Sequence, residues 1–159
     1  MGIMKDDVMG QMSYEYGWVR NYSIPFFGES VDVQLVVPCD EGDEIEEAQR
    51  AAFLHFDANK SLYMQQTQEA IFNHYLEVCE EYRERLGGQF ADKMAPIVTE
   101  EIQLKPLIKP TQVIIQQSFS SNQRVVGVLF DCSWEPELGL AVKFVNSDLD
   151  EVGPQDIVL

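Results

Sequence analysis

The sequence predicts an α+β fold: a largely antiparallel sheet, built from an N-terminal hairpin and a C-terminal meander, with a helical hairpin or long bent helix packed on one face. Three observations carry this. Val31, Val33, Leu35 and Val37 alternate with Asp32 and Gln34, the period of a half-buried strand. Met64, Ile71, Tyr75, Val78 and Tyr82 recur at the helical period of about 3.6 residues, widened by Phe72, Leu76 and Cys79. From Val125 to Leu159, strand-like runs alternate with turn residues. Strands and helices are thus segregated along the chain, which is the α+β arrangement.

In chain order, residues 1–13 are Met-rich and without pattern, and are expected to be a flexible start to a single domain over 14–159. A hairpin is expected over about residues 17–24 and 30–37, with Phe26-Phe27-Gly28-Glu29 as its turn and Pro38 as its stop. Asp43 is placed to cap a helix, with Glu46 at the third helical position. Ile45, Ala48, Ala52 and Phe56 then form an apolar face with Phe53 beside them. Ala58-Asn59-Lys60-Ser61 breaks this helix, Asn59 or Ser61 capping a second one that Gly87-Gly88 ends. Helix is therefore expected over residues 44–86. Thr99-Glu100-Glu101 with Ile102 and Leu104 suggests one short helical turn, and Pro106 and Pro110 bracket a connection. Thr111–Phe119 returns to strand composition, and Ser120-Ser121-Asn122-Gln123 is a polar turn. The meander follows: Val125–Cys132, a turn through Pro136 and Gly139, Leu140–Val145, and a third run at Leu149–Val152.

The 159 residues carry 27 acids against 11 bases, a net charge of -16, and are 45% hydrophobic with 9 Phe, 6 Tyr and 2 Trp. That supplies a core for one domain. An acidic surface repels phosphate backbones and anionic lipid, so neither nucleic acid nor a membrane is an expected partner. Cys39, Cys79 and Cys132 lie far apart, show neither metal spacing nor a disulfide framework, and read as buried hydrophobes. The N-terminus lacks the continuous apolar stretch of a signal peptide, and a cytoplasmic location is expected.

The two histidines, His55 and His74, both fall inside helical patterns, and Cys79 stands five residues beyond His74, on a neighbouring rather than a shared face. Asp40 to Glu47 crowds a helix start, where the helix dipole alone favours acids. Glu77, Glu80, Glu81 and Glu84 read as the solvated face of the second helix. A third acidic group comprises Asp131, Glu135, Glu137, Asp148, Asp150 and Glu151, opposed locally by Lys143. Glu135 and Glu137 sit in a loop, where a carboxyl lacks the desolvation that general acid work requires. Trp134 in that loop reads chiefly as a structural closure, with an interface anchor as the other use of such a residue. No catalytic, cofactor-binding or metal-ligating residue is expected.

Several stretches carry a resemblance: Trp18-Val19-Arg20 with Ile24-Pro25-Phe26-Phe27-Gly28, then Glu44-Ile45 with Ala48-Gln49, then Leu129-Phe130-Asp131-Cys132-Ser133-Trp134-Glu135-Pro136-Glu137-Leu138-Gly139-Leu140, and finally Val152-Gly153-Pro154-Gln155-Asp156-Ile157. Over about residues 14–159 the chain resembles a bacterial domain-of-unknown-function family with an FDC-S/T-W…G-L…VG-x-Q-D-I signature. Leu138 stands where members often carry His, and Ala141 where they often carry Gly. The resemblance implies a cytosolic bacterial protein and brings no activity, cofactor or catalytic residue with it.

The expected function is a non-catalytic protein-interaction module that binds a basic protein through an acidic surface, an immunity-type protein being its sharpest form. Its expected partner-binding residues are Trp134, Glu135, Glu137, Asp148, Asp150 and Glu151. The alternatives are an accessory or structural domain, and an enzyme or ligand-binder whose site the sequence does not display. Oligomeric state and strand order are not set by the sequence.

Overall fold

The computed structural model describes residues 2–40, 42–118 and 123–159. They form one eight-stranded sheet whose spatial order is the chain order. Its strands are β1 (Ile3–Asp6), β2 (Gly10–Tyr14), β3 (Trp18–Phe26), β4 (Glu29–Val37), β5 (Ile108–Gln116), β6 (Val125–Cys132), β7 (Leu140–Val145) and β8 (Asp148–Gly153). Neighbours are antiparallel except β4 and β5, which run parallel with Gln34, Leu35 and Val36 opposite Gln112, Val113 and Ile114. A parallel neighbour cannot be reached through a tight turn and needs a crossover. Here the crossover holds all three helices: α1 (Glu47–Ala58), α2 (Lys60–Leu86) and α3 (Gly88–Met94).

The helix-facing side holds the main core. Tyr22, Val33, Leu35, Val37, Val113, Ile115, Val126, Val128, Phe130, Val142 and Phe144 meet Phe53 and Phe56 of α1 and Tyr63, Met64, Ile71 and Tyr75 of α2. The apolar alternation of β4 and most of the α2 stripe therefore close on one another, with Val31 packed at the margin. Val78 does not join them; the inward place falls to Cys79 instead. The far side of the sheet has a smaller cluster of Val19, Val36, Ile114, Leu129 and Ala141, covered by the C-terminal 3₁₀ turn through Ile157 and Val158. Strand β6 is thus buried on both faces, which is why its sequence is apolar without alternation. Gly127 sits where that C-terminal turn crosses: a Cβ there would lie 2.8 Å from Ile114 Cγ2 and from Val158 Cβ.

Local chemistry explains the turns. The β3–β4 loop is Phe27-Gly28 with φ of 46° and 80°, the twist that two-residue hairpins prefer. Phe27 pays for its unusual φ with a bond from its amide to Gln68 Oε1 at 2.9 Å. The β7–β8 loop repeats the geometry at Asn146 and Ser147, φ 50° and 76°.

Several expectations are corrected. The start read as unpatterned over residues 1–13 holds β1 and most of β2, with Met9 and Met12 buried in the core. The Asp6 carboxylate holds their turn by accepting the Val8 and Met9 amides, each at 2.9 Å. The cap of α1 is Glu46 with Gln49 rather than Asp43 with Glu46, because Gln49 is buried and spans three elements. Its Nε2 donates to Pro38 and Ile115 carbonyls while its Oε1 accepts the Glu46 amide. Asn59 does hold the N-cap position of α2 but without a side-chain cap bond; its Nδ2 donates backwards to His55 O at 2.9 Å and closes α1. Strand β5 starts at Ile108 and includes Pro110, tolerated because the pairing with β6 is irregular between Pro110 and Gln112. Phe119 and the polar turn at Ser120-Ser121-Asn122 lie outside the described residues.

Candidate functional site

The loop after β6 combines the residues the sequence singles out, and the structure divides them. Trp134 is 3% exposed and packs on Tyr75 of α2 with ring centroids 4.6 Å apart. Ser133 fixes its approach: the amide donates to Leu107 O at 2.8 Å and the hydroxyl to Met94 O at 2.7 Å. Glu135 is half-buried and accepts the Tyr82 hydroxyl at 3.1 Å. Burial and that bond push the Tyr82 phenol up. Burial likewise pushes the Cys132 thiol up to about 12, so this cysteine stays protonated. Gly139 closes the loop at φ 65°, and the Gln155 side chain fills the space a Cβ would take. Gln155 is itself anchored through Nε2 to Phe130 O at 2.9 Å. Thus Trp134 and Glu135 face α2 and bind the loop down; they are not at its tip.

The other four residues are exposed. Asp148, Asp150 and Glu151 stand on β8, which among the described residues has a strand on one side only. Glu137 lies in the loop beside the far end of that strand, where the Gln155 amide donates to Leu138 O at 3.1 Å. Leu138 and Leu149 are also exposed, so apolar surface is mixed with the acids. Lys143 reaches Asp150 at 4.0 Å, a loose pair that leaves most of this charge uncompensated.

Of the acidic group before and at the start of α1, Glu46 and Glu47 are bonded through their carboxylates, whereas Asp40, Asp43 and Glu44 are exposed and contribute backbone carbonyls only. Asp40 and Asp43 form a turn whose carbonyls, with that of Glu44, surround the Cys39 thiol at 3.3 to 3.5 Å. Burial, then Asp43, Asp40 and Glu46, raise that thiol above its usual range. Glu46 Oε1 accepts the Ser118 amide and Glu47 pairs with Arg50.

The histidines have structural surroundings. His55 Nδ1 meets Tyr63 OH at 2.7 Å and Ser147 Oγ at 3.1 Å, which ties the β7–β8 turn to the α1–α2 junction. Both hydroxyls converge on one ring nitrogen, so they share it. His74 is pushed down by burial against an opposing effect of Glu77. Among the described residues, no hydrogen bond joins either histidine to a cysteine, and no three His, Cys, Asp or Glu side chains converge as a metal-ligand group.

A groove the sequence did not disclose runs between α2, α3 and the segment 95–98. Its volume is about 650 Å³, and Leu76, Cys79, Glu80, Glu84, Ile97 and Val98 are among its walls. The walls are braced rather than loose. Arg83 Nη1 donates to the carbonyls of Ala91 and Ala95 at 3.0 and 2.9 Å, and Nη2 pairs with Asp92 at 2.6 Å. Tyr75 OH donates to Pro96 O at 2.6 Å. The sequence signal was present in Leu76, Glu80 and Glu84, one stripe at i, i+4, i+8, but Leu76 reads as part of the apolar stripe and the two acids as solvated helix, and Ile97 beside them is brought there only by the fold.

Together these features define an acidic α+β domain: a single sheet in chain order, one face under a helical crossover, with a free acidic edge and a braced surface groove. The family described as "Domain of unknown function (DUF6985)" matches residues 8–159, and the chain belongs to it. No curated protein and no solved structure matches the chain. No helix among the described residues is long and apolar enough to cross a membrane.

Proposed function

We propose that this is a non-catalytic, cytoplasmic bacterial interaction module that captures a basic protein partner, with neutralisation of a toxin as the sharpest form of that role. One observation supports it above the rest: Asp148, Asp150 and Glu151 are exposed along a free sheet edge, with Glu137 beside it and a single lysine at 4.0 Å. Trp134 is no longer counted as an anchor on this surface, because its ring is buried against Tyr75. Exposed carboxylates act mainly on encounter: they steer a cationic partner over about a Debye length, about 8 Å at physiological salt.

The test begins with capture at low salt and identification of basic proteins that elute as salt rises. Association rates with the purified partner are then measured across a salt series for two variants. Replacing Glu137, Asp150 and Glu151 by Lys should slow association about tenfold or more at low salt. Replacing Asp40, Asp43 and Glu44 by Lys should change it less. Equal rates for wild type and the edge variant would defeat the assignment of this edge.

A further inference from the structure

We infer that the groove between α2, α3 and residues 95–98 seats a basic amphipathic helix of the partner, an inference that rests on the reading of a basic partner above. The groove is preformed, since Arg83 and Tyr75 bond its far wall to α2 through the carbonyls of Ala91, Ala95 and Pro96. Its open side is apolar at one end. Leu76 is 51% exposed and Ile97 72% exposed, large values for side chains that gain from burial. Val98 is buried behind them and gives the floor. The same α2 stripe continues as Glu80 and Glu84, both exposed and, among the described residues, in no ion pair. Arg83 does not neutralise them, because its guanidinium is taken up by Asp92 and two carbonyls.

Charge selects the occupant. The two carboxylates are one turn apart, about 6 Å along α2. A second helix laid alongside matches them with Lys or Arg at i and i+4, and sets an apolar side chain one turn further on against Leu76 and Ile97. A second copy of this chain does not supply that pattern. Its helical bases are Arg50, Lys60, Arg83, Arg85 and Lys93, none four residues from another, on a chain of net charge -16. A basic helix from another protein does.

The probe is a synthetic helical peptide of about 18 residues, about 27 Å long, with Leu on one face and Lys at i and i+4 beside it. Two controls accompany it: the same composition scrambled so that no face is apolar, and Glu in place of Lys. Fluorescence anisotropy should show saturable binding of the first peptide only. Glu80→Lys with Glu84→Lys, and separately Ile97→Asp, should each weaken it about tenfold or more. Circular dichroism and melting establish that each variant is folded, as expected for exposed positions. The edge variant at Glu137, Asp150 and Glu151 should bind the peptide like wild type. The groove inference thus fails separately from the edge assignment. Equal binding of the scrambled peptide, or insensitivity to both groove variants, overturns it. A concentration-dependent dimer that Ile97→Asp abolishes overturns it too, in favour of a second copy.

Discussion

Asp6 shows how much one side chain can hold in this fold. Its Oδ2 accepts two turn amides while its Oδ1 accepts Arg50 Nε at 3.0 Å and Nη2 at 2.7 Å. Burial alone would raise its pKa, but the Arg50 bonds and the Met9 and Val8 amides outweigh that and hold it below the usual carboxylate range. With the folded value below the unfolded value of about 3.9, the stabilisation is complete above pH 4 or so and is lost as pH falls through the folded value. Asp6→Asn should therefore cost about 1.5–3 kcal/mol at pH 7. The gap between the two melting curves should narrow as pH drops from about 4 towards 2. A gap that stays constant over that range would mean that shape, not charge, is what Asp6 contributes. None of this was legible in the sequence, because Asp6 gains its partner Arg50 from 44 residues away. Asp6 and Gly10, φ 83°, do bracket a turn of ordinary chemistry. The Met-rich composition around them hid it, since methionine carries little strand signal.

At the scale of elements, period and the antiparallel pairing of chain neighbours were legible, and the parallel pairing across the crossover was not. The β4 alternation and the α2 stripe each declare a face, and both faces meet in the core. The break at Asn59 and the stop at Gly87, φ 68°, follow from residue type. The parallel seating of β4 against β5 is invisible locally, as it depends on a crossover of three helices. So is the burial of Trp134, since a tryptophan in a Pro-Gly loop suits a rim or a core equally well; here the difference is made by Tyr75 and by Ser133 bonding to Met94 and Leu107. Trp134→Ala should cost about 3–5 kcal/mol, read as a fall in melting temperature. Trp134→Phe should recover part of it by keeping a ring against Tyr75. Unchanged melting for the alanine variant would contradict the closure role and return Trp134 to the binding surface.

At the scale of the whole molecule, charge acts on stability as well as on encounter, and with the opposite salt dependence. A net charge of -16 over 159 residues puts the folded state under self-repulsion that the unfolded chain relieves by expanding. The ion pairs do little against it. Glu81–Arg85, Glu47–Arg50 and Glu29–Lys105 each have an exposed carboxylate, and among the described residues Glu80, Glu84, Glu137 and Glu151 are in none. Such a composition was legible from the outset, but its distribution was not: of the acidic residues the sequence grouped together, Glu135 and Glu46 are tied to Tyr82 and Ser118, whereas Asp148 and Glu151 on β8 and Glu80 and Glu84 on the groove wall are exposed and, among the described residues, in no ion pair. Screening should therefore raise the melting temperature as sodium chloride increases from about 0.02 to about 0.3 M, while the Debye length falls from about 20 Å to below 8 Å. Over the same range, association with a cationic peptide or partner should slow. Potassium chloride at matched ionic strength should give the same two slopes, because screening depends on ionic strength and not on the identity of the cation. Melting that is flat or falls with salt would show that the acids are spaced widely enough not to repel, and the acidic surface would then bear on binding alone.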